Sequence, residues 1–511
     1  MKRIETVVYL LLSLMAFGSF VWWQQDDFYI HLQYAKHLLH HGEWSFNQGT
    51  PAYGTTSPLW VLLVAFVGLT GLKLDLVAKV LSVGFAVLTA CLMAKHLSLF
   101  KYKIFGVLCM MAFIVNHWFR LAAGSGMEAT LAAFLVLFLG LQVLEDPDPS
   151  AWRSTGRGVL VGLLVLTRPE WIVLPLFFLV SKRSRWSVIL VFLLGFIVVM
   201  VPWFAFAWYS FGTIVPNTVM IKSVLVAPPV SSIHACVSSV VRLMVFYGVS
   251  NSVELLGVVM VMGIVVVQAL GRIFRRPAEP LSSVGRLREI PLPVWGLLLV
   301  IPGIYFINQA RGGENISYRY GVPALPMLVI LGWLGIEAGH ERLKSQLGRK
   351  CLIVGLAAIL CLSNMLLSVL HFPFLRRSVQ YMELVLSDYG KWLKIHTRED
   401  EVVACYDVGA IAYYSDRPVL DLIGLNSMDV IRFQVTHPQD EIKSPVIQAF
   451  KPKYLVTRMP IPPSVYAGVL PPYDTVLTRV VAAYRFDPST LFKPPSSCDV
   501  NLLRLHWPEL H

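Results

Sequence analysis

The strongest constraint on this chain is a succession of apolar runs, most near the roughly 20 residues that a helix needs to cross a bilayer, with shorter ones allowed where they are buried. Eleven are marked, at about 5–23, 76–95, 103–119, 127–144, 157–167, 169–181, 186–208, 253–271, 291–307, 321–338 and 350–370. Of the 511 residues 56% are hydrophobic and only 14% charged, against roughly 25% charged in soluble domains. The deficit is spread over most of the length, so the chain reads as a polytopic α-helical membrane protein. The first run follows Met-Lys-Arg and lacks a small-residue cleavage pattern, which predicts a retained helix rather than a signal peptide.

Charge sets the expected topology. The formal net charge is +12, but no stripe of Lys and Arg interleaved with aromatics occurs, which sets nucleic-acid binding aside. Basic residues instead collect in loops, as the positive-inside rule requires of cytoplasmic segments. Reading "PLWVLLVAFVGLTG" as a short helix at the membrane surface puts "KYK", "SKRSR", "GRIFRRPAEPLSSVGRLRE" and "HERLKSQLGRK" together in the cytoplasm, with the N-terminus. An odd number of spans then places the region after 370 outside. The expected domains are a membrane module over 1–370, including a first outer loop at 24–75, and an extracytoplasmic α/β domain over 371–511. In the latter, "EVVACYDVGAIAYYS", "RPVLDLIGL", "KPKYLVTR" and "VNLLRLHW" read as strands. Seven cysteines show no metal pattern, and Cys405 and Cys498 would be able to pair if that domain lies outside.

The few polar residues on the outer side are distinctive. Asp26 and Asp27 open "DDFYIHLQYAKHLLHH", which has the spacing of an amphipathic helix along the membrane surface; the plainer reading makes one of them a helix cap. In "YGTTSPLW", Ser57 and Pro58 suit a helix start, which leaves Tyr53 and Thr55 unexplained. Glu128 in "GSGMEATL" stands at the outer end of a membrane helix, where its plainer role is to meet the helix dipole. Arg168 in "TRPEW", Lys222 in "VPNTVMIKS" beside Asn217, and Arg319 in "ENISYRYG" are cations on the side where the positive-inside rule asks for none. Snorkelling or local ion pairs account for each singly; an anionic ligand such as a phosphate accounts for all three. His31, His37, His40 and His41 lack the spacing of a closed zinc site and read as surface residues.

In this order, "DDFYIHLQYAKHLLHHGEWSFN", "YGTTSPLW", "SGMEATL", "LTRPE", "IVPNTVMIKS", "RYGVPALP" and "DVGAIAYYSDRPVLDLIGL" resemble the C-type glycosyltransferases, from about residue 26 to 425. The likeness is to the bacterial branch of protein mannosyltransferases, lipid A aminoarabinose transferases and arabinofuranosyltransferases. The resemblance implies transfer of a sugar, with inversion, from a polyprenyl-phosphate donor to a glycan, lipid or protein acceptor outside the bacterial inner membrane. It implies an acidic base in the first outer loop. Asp27, eight residues before Ala35, is favoured, with Asp26 as a supporting or alternative acid and Glu128 orienting the acceptor or sugar. Lys222, Arg319 and Arg168, in that order, are candidates for the donor phosphate, and Tyr53, Thr55 and Asn217 for substrate contacts. No cofactor is implied, and a divalent metal is not expected. Two other classes compete: a transporter or flippase of an anionic lipid, which would show broken helices and paired repeats, and a membrane-anchored glycan-binding scaffold, which would not need so many spans.

Overall fold

The computed structural model describes residues 3–180, 186–225, 290–300, 320–436, 444–459, 473–482 and 497–506. Elements are numbered along the chain. Two compact units form, one from residues 1–21, 79–201 and 227–369, the other from 22–78, 202–226 and 370–511. The unit that holds the C-terminal sheet thus also takes in residues 22–78 and 202–226, well before position 371.

The first unit is helical. It contains α1 (Arg3–Gly18), α4 (Leu74–Lys95) from Lys79 on, α5 (Lys103–Val115), α6 (His117–Ser125), α7 (Ala129–Glu145), α8 (Ala151–Thr167) and α9 (Leu174–Leu179). The first part of α10 (Trp186–Phe211), α12 (Leu325–Arg342) and most of α13 (Gln346–Tyr381) complete it. Among the described residues, Leu74–Leu99, Trp186–Phe211, Val322–Arg342 and Gln346–His396 are long and apolar enough to cross a membrane. On α10, Leu190, Leu194 and Val198 stand exposed in one stripe at helical spacing, as lipid contact would require. Several spans are therefore present rather than a settled eleven. The expected run at 253–271 and the end of the run at 291–307, from 301 on, lie outside the described residues, and α1, α7 and α8 have 16, 17 and 17 residues.

The run expected at 103–119 breaks at Asn116, where α5 and α6 meet at a bend of 49°. A broken helix within a membrane leaves backbone donors that only protein can satisfy. Asn116 Oδ1 accepts the Phe119 N–H (3.0 Å), and Asn364 Oδ1 accepts the His117 N–H (2.9 Å). Among the described residues, charged groups from several segments gather at one end of this unit. Lys101 Nζ bonds Glu341 (2.8 Å), Glu337 accepts the N–H groups of Lys101 and Tyr102, and Lys103 pairs with Glu5. "KYK", the start of α1 and the end of α12 therefore share one side, as the charge pattern predicts. Glu145 at the end of α7 also meets His96 there (3.0 Å). Since α7 runs about 25 Å, Glu128 before its first residue lies toward the opposite end.

The second unit begins with α2 (Asp26–His41), the hairpin β1–β2 (Ser45–Asn47 and Thr50–Pro51) and α3 (Pro58–Gly68). At 11 residues α3 is only about 17 Å long, too short to span, as predicted. It buries Trp60, Val61 and Val64 and leaves Leu62 and Phe66 exposed. Then come the end of α10, α11 (Asn217–Leu225) and, after α13, α14 (Asp388–His396). A five-stranded sheet follows in the order β4-β3-β5-β7-β6, from β3 (Val403–Cys405), β4 (Val419–Asp421), β5 (Tyr454–Met459), β6 (Tyr473–Ala482) and β7 (Ser497–Leu505). β3 pairs in parallel with β4 and β5, and β7 lies antiparallel between β5 and β6. Its core holds Ala404, Leu420, Leu455 and Leu503 against Val430 and Ile447 of α16 (Met428–Thr436) and α17 (Ser444–Phe450).

Two strand expectations need correction. "EVVACYDVGAIAYYS" is a strand only through Cys405; its second half is α15 (Gly409–Ser415). β6 was not anticipated. Cys405 is a free, buried thiol, separated from the strand of Cys498 by β5.

Candidate functional site

The predicted residues fall into both units. Asp26, Asp27, Tyr53, Thr55, Asn217 and Lys222 belong to the second, Glu128 and Arg168 to the first, and Arg319 lies outside the described residues.

The helix α2 starts with both acids in its first turn, where the dipole favours negative charge. It ends at Gly42, whose left-handed φ of 68° lets its N–H close back on His37 and Leu38. Contrary to the expected surface helix, it is buried throughout Phe28–Ala35. Neither acid caps α2 itself, because Gln25 holds that position. Asp26 caps a different helix: the Gly409 N–H donates to its Oδ2 (2.7 Å) and the Ala410 N–H to its Oδ1 (2.9 Å). The fit needs glycine at 409, since a Cβ there would stand 2.2 Å from the Asp26 carbonyl oxygen. Burial, and then the nearby Asp407 carboxylate, push the Asp26 pKa up to about 8 against the opposing effect of these two N–H donors. Asp407 in turn accepts the Tyr381 hydroxyl (2.7 Å). Asp27, one residue on, sits about 100° further round the helix.

The segments around Tyr53 and Asn217 are brought together. The Tyr53 carbonyl accepts the Asn217 N–H (2.8 Å), and the Gly54 carbonyl accepts the Thr218 hydroxyl (2.7 Å). Tyr53 itself is a buried brace: its hydroxyl accepts Trp203 Nε1–H (2.7 Å), and its ring stacks on Phe211 at 5.3 Å. Thr55 Oγ1 accepts the Ser57 N–H (3.2 Å), so the threonine prepares the start of α3 while Ser57 makes no side-chain cap. Asn217 differs from both. It is 1% exposed, and neither atom of its side-chain amide has a partner among the described residues. An unmatched buried polar group costs about 1–3 kcal/mol, so this amide does not add to the stability of the fold. Lys222 lies on the same helix, α11.

A frame that the sequence did not reveal holds these pieces. Tyr34 donates to Asn426 Oδ1 (3.1 Å) and accepts the Gly54 N–H (3.0 Å). Asn426 rests on Asp421, whose carboxylate also accepts the N–H groups of Ile423 and Gly424. Burial raises the Asp421 pKa against those donors. The histidines divide as well. His40 and His41 are exposed, but His31 and His37 are buried. His37 bonds Ser45 through Nδ1 (3.1 Å) and Gln33 through Nε2 (3.0 Å). Burial, and next Lys36, lower its pKa to about 4, so it joins α2 to the hairpin as a neutral ring.

In the first unit the plainer reading of Arg168, a bond to Glu170, is the weaker contact at 3.4 Å. Its main partner is Glu128, at 2.7 Å, with both side chains buried. The guanidinium also lies 4.7 Å from the ring centre of Tyr320. Glu128 makes no side-chain cap to α7. The small residues before it serve packing, because a Cβ on Gly124 would stand 2.3 Å from the backbone of Phe20.

Comparison with known proteins gives the fold a relationship. ArnT from Cupriavidus metallidurans, an aminoarabinose transferase whose structure has been solved in the apo state, superposes with a TM-score of 0.56 at 12% identity over 97% of each chain. Its form bound to undecaprenyl phosphate gives 0.56 at 14% identity over 98% of each. The oligosaccharyltransferase of Archaeoglobus fulgidus, tethered with an acceptor peptide, gives 0.51 at 11% identity over 89% of this chain and 69% of that one. Residues 374–494 match a family described as a domain of unknown function (DUF8728). No curated protein matches the sequence. The chain has the fold of the C-type glycosyltransferases.

Proposed function

We propose that the protein is a membrane glycosyltransferase that moves a sugar from a polyprenyl-phosphate donor to a hydroxyl of a glycan, lipid or protein of the cell envelope. The observation that carries this reading is the division between the two acids of α2. Asp26 accepts the first two N–H groups of α15, and Asp27, about 100° further round α2, is assigned as the base. The fold shared with ArnT, whose solved complex holds undecaprenyl phosphate, supports the lipid-linked donor.

In this scheme the acceptor oxygen attacks the anomeric carbon from the face opposite the phosphate. The new C–O bond forms as the bond to the phosphate oxygen breaks, and the anomeric centre inverts. Asp27 takes the acceptor proton, a contribution typically worth 10²–10⁴-fold. The leaving polyprenyl phosphate keeps the electron pair, and cations stabilise its charge. Lys222 and Arg319 are assigned to that phosphate. Arg168 comes third, since its guanidinium already bonds Glu128. Glu128 is assigned to orienting acceptor or sugar, and Asn217, whose amide atoms have no partner among the described residues, to a substrate contact. Tyr53 and Thr55 shape the loop that carries them. No metal has a step in this scheme. The transfer takes place on the extracytoplasmic face of the inner membrane, with the basic end of the first unit in the cytoplasm.

A transporter would use a broken helix as a binding site; here the break at Asn116 has its Phe119 and His117 donors taken by side chains. The test is a transfer assay in proteoliposomes with radiolabelled polyprenyl-phosphate sugar in EDTA and an envelope extract as acceptor source. Label moving from lipid to acceptor supports the proposal. Label crossing the bilayer still attached to its lipid would instead establish transport.

A further inference from the structure

The second unit contains a basic pocket that the proposed reaction does not use. It encloses about 520 Å³ and is lined by Lys36 of α2, Lys73, Lys391 and Lys394 of α14, and the segment from Tyr413 to Asp416. Four lysines and one carboxylate, Asp416, line it, and Asp75 lies close enough to act on Tyr413. Asp416 bridges Lys36 and Lys394. Lys36 also donates to the Tyr413 carbonyl (3.1 Å) and lies 5.2 Å from the centre of that ring. Lys391 stands at 5.2 Å over Tyr414. Lys36 is held by these contacts, whereas Lys73, Lys391 and Lys394 are exposed.

Two features decide what such a pocket takes. The first is its place on α2. Lys36 is nine residues beyond Asp27, and at about 100° per residue the two project from opposite sides of the helix. The pocket is therefore distinct from the proposed catalytic side. The second is its rim. Gly68, Gly71 and Leu72 line it, and the adjoining stretch carries Phe66 and Leu69 at 71% exposure and Leu72 at 53%. Neighbouring large apolar side chains exposed to this degree call for an apolar partner. A soluble anion satisfies the lysines and leaves that rim in water. An amphiphile with an anionic head satisfies both.

We propose that this pocket binds the phosphate headgroup of an anionic phospholipid of the bilayer, with the acyl chains against Phe66, Leu69 and Leu72. Binding anchors α2 to the membrane surface from the side opposite Asp27. Lysines near an anionic lipid surface contribute about fivefold each to binding.

The full-length protein in detergent is exchanged with phosphatidylglycerol or phosphatidylcholine, and retained lipid is measured by native mass spectrometry. Wild type is expected to retain phosphatidylglycerol preferentially. A Lys73→Gln/Lys391→Gln variant, which spares the Asp416 pairs, is expected to lose that preference by about 25-fold, and the double Arg replacement to restore it. A Phe66→Ser/Leu69→Ser variant is expected to weaken lipid retention without altering competition by inorganic phosphate. Equal retention of the two lipids by wild type, or an unchanged preference in the Gln variant, would overturn the proposal. So would inorganic phosphate competing as well as soluble short-chain phosphatidylglycerol, which would make the pocket a site for free anions.

Discussion

Asp26 and Asp27 are neighbours with different work, and the difference can be measured. Asp26 accepts two backbone donors, so Asp26→Ala should cost about 1–3 kcal/mol by leaving them unmatched. Asp26→Asn keeps an acceptor for one of the two donors and should cost less than Asp26→Ala. Because burial and Asp407 raise the folded pKa of Asp26 to about 8, its contribution is fully present below the ordinary carboxylate range near 4 and is lost as pH rises through about 8. Thermal unfolding in detergent should show that decline in wild type and a flatter profile in Asp26→Asn. Asn217 gives the opposite kind of prediction. Its buried, unmatched amide is a burden on the fold, so Asn217→Leu should leave the melting temperature unchanged or higher while lowering sugar transfer; a loss of both would make Asn217 a structural residue. Composition and order in the sequence pointed to these residues, but not to their partners. Asp26 meets groups 383 and 384 positions away, and Arg168 finds Glu128 rather than the adjacent Glu170 as its closer ion-pair partner.

At the scale of elements, α2 and α15 depend on close backbone approach. Gly409→Ala forces a Cβ into the Asp26 carbonyl. It should cost about 1–3 kcal/mol and raise hydrogen exchange in residues 26–41; unchanged exchange would mean that the contact is not needed. Helices set by long apolar runs were legible in the sequence, because burial in lipid demands composition over a whole run. So was α3, whose length alone rules out a span. The bend at Asn116 was not legible, since it depends on Asn364 from a distant helix. Nor was α15, whose sequence "GAIAYYS" has strand-like composition and becomes helical where Asp26 caps it. Nor was β6, which among the described residues is an edge strand paired with β7 alone. α2 has the pattern of a surface helix, yet its neighbours bury it from Phe28 to Ala35.

For the whole molecule, the charge pattern and the fold give separate lines toward the same reading. The contacts of Lys101 with Glu341 and of Lys103 with Glu5 put three charged segments at one end of the helical unit. Single cysteines replacing Lys101 and Lys344 should therefore be labelled from the cytoplasmic side only, and one replacing Glu399 from the other side only. The shared fold extends over 97% of the chain at 12% identity, so the architecture is secure where side chains have diverged, and chemistry must be tested residue by residue. The most direct test compares Asp27→Asn with Asp26→Asn in proteoliposomes supplied with radiolabelled polyprenyl-phosphate sugar, at equal amounts of folded protein. The account predicts transfer lowered at least 10²-fold in Asp27→Asn, following the typical scale for a positioned base, and retained in Asp26→Asn. Full transfer by Asp27→Asn would contradict it.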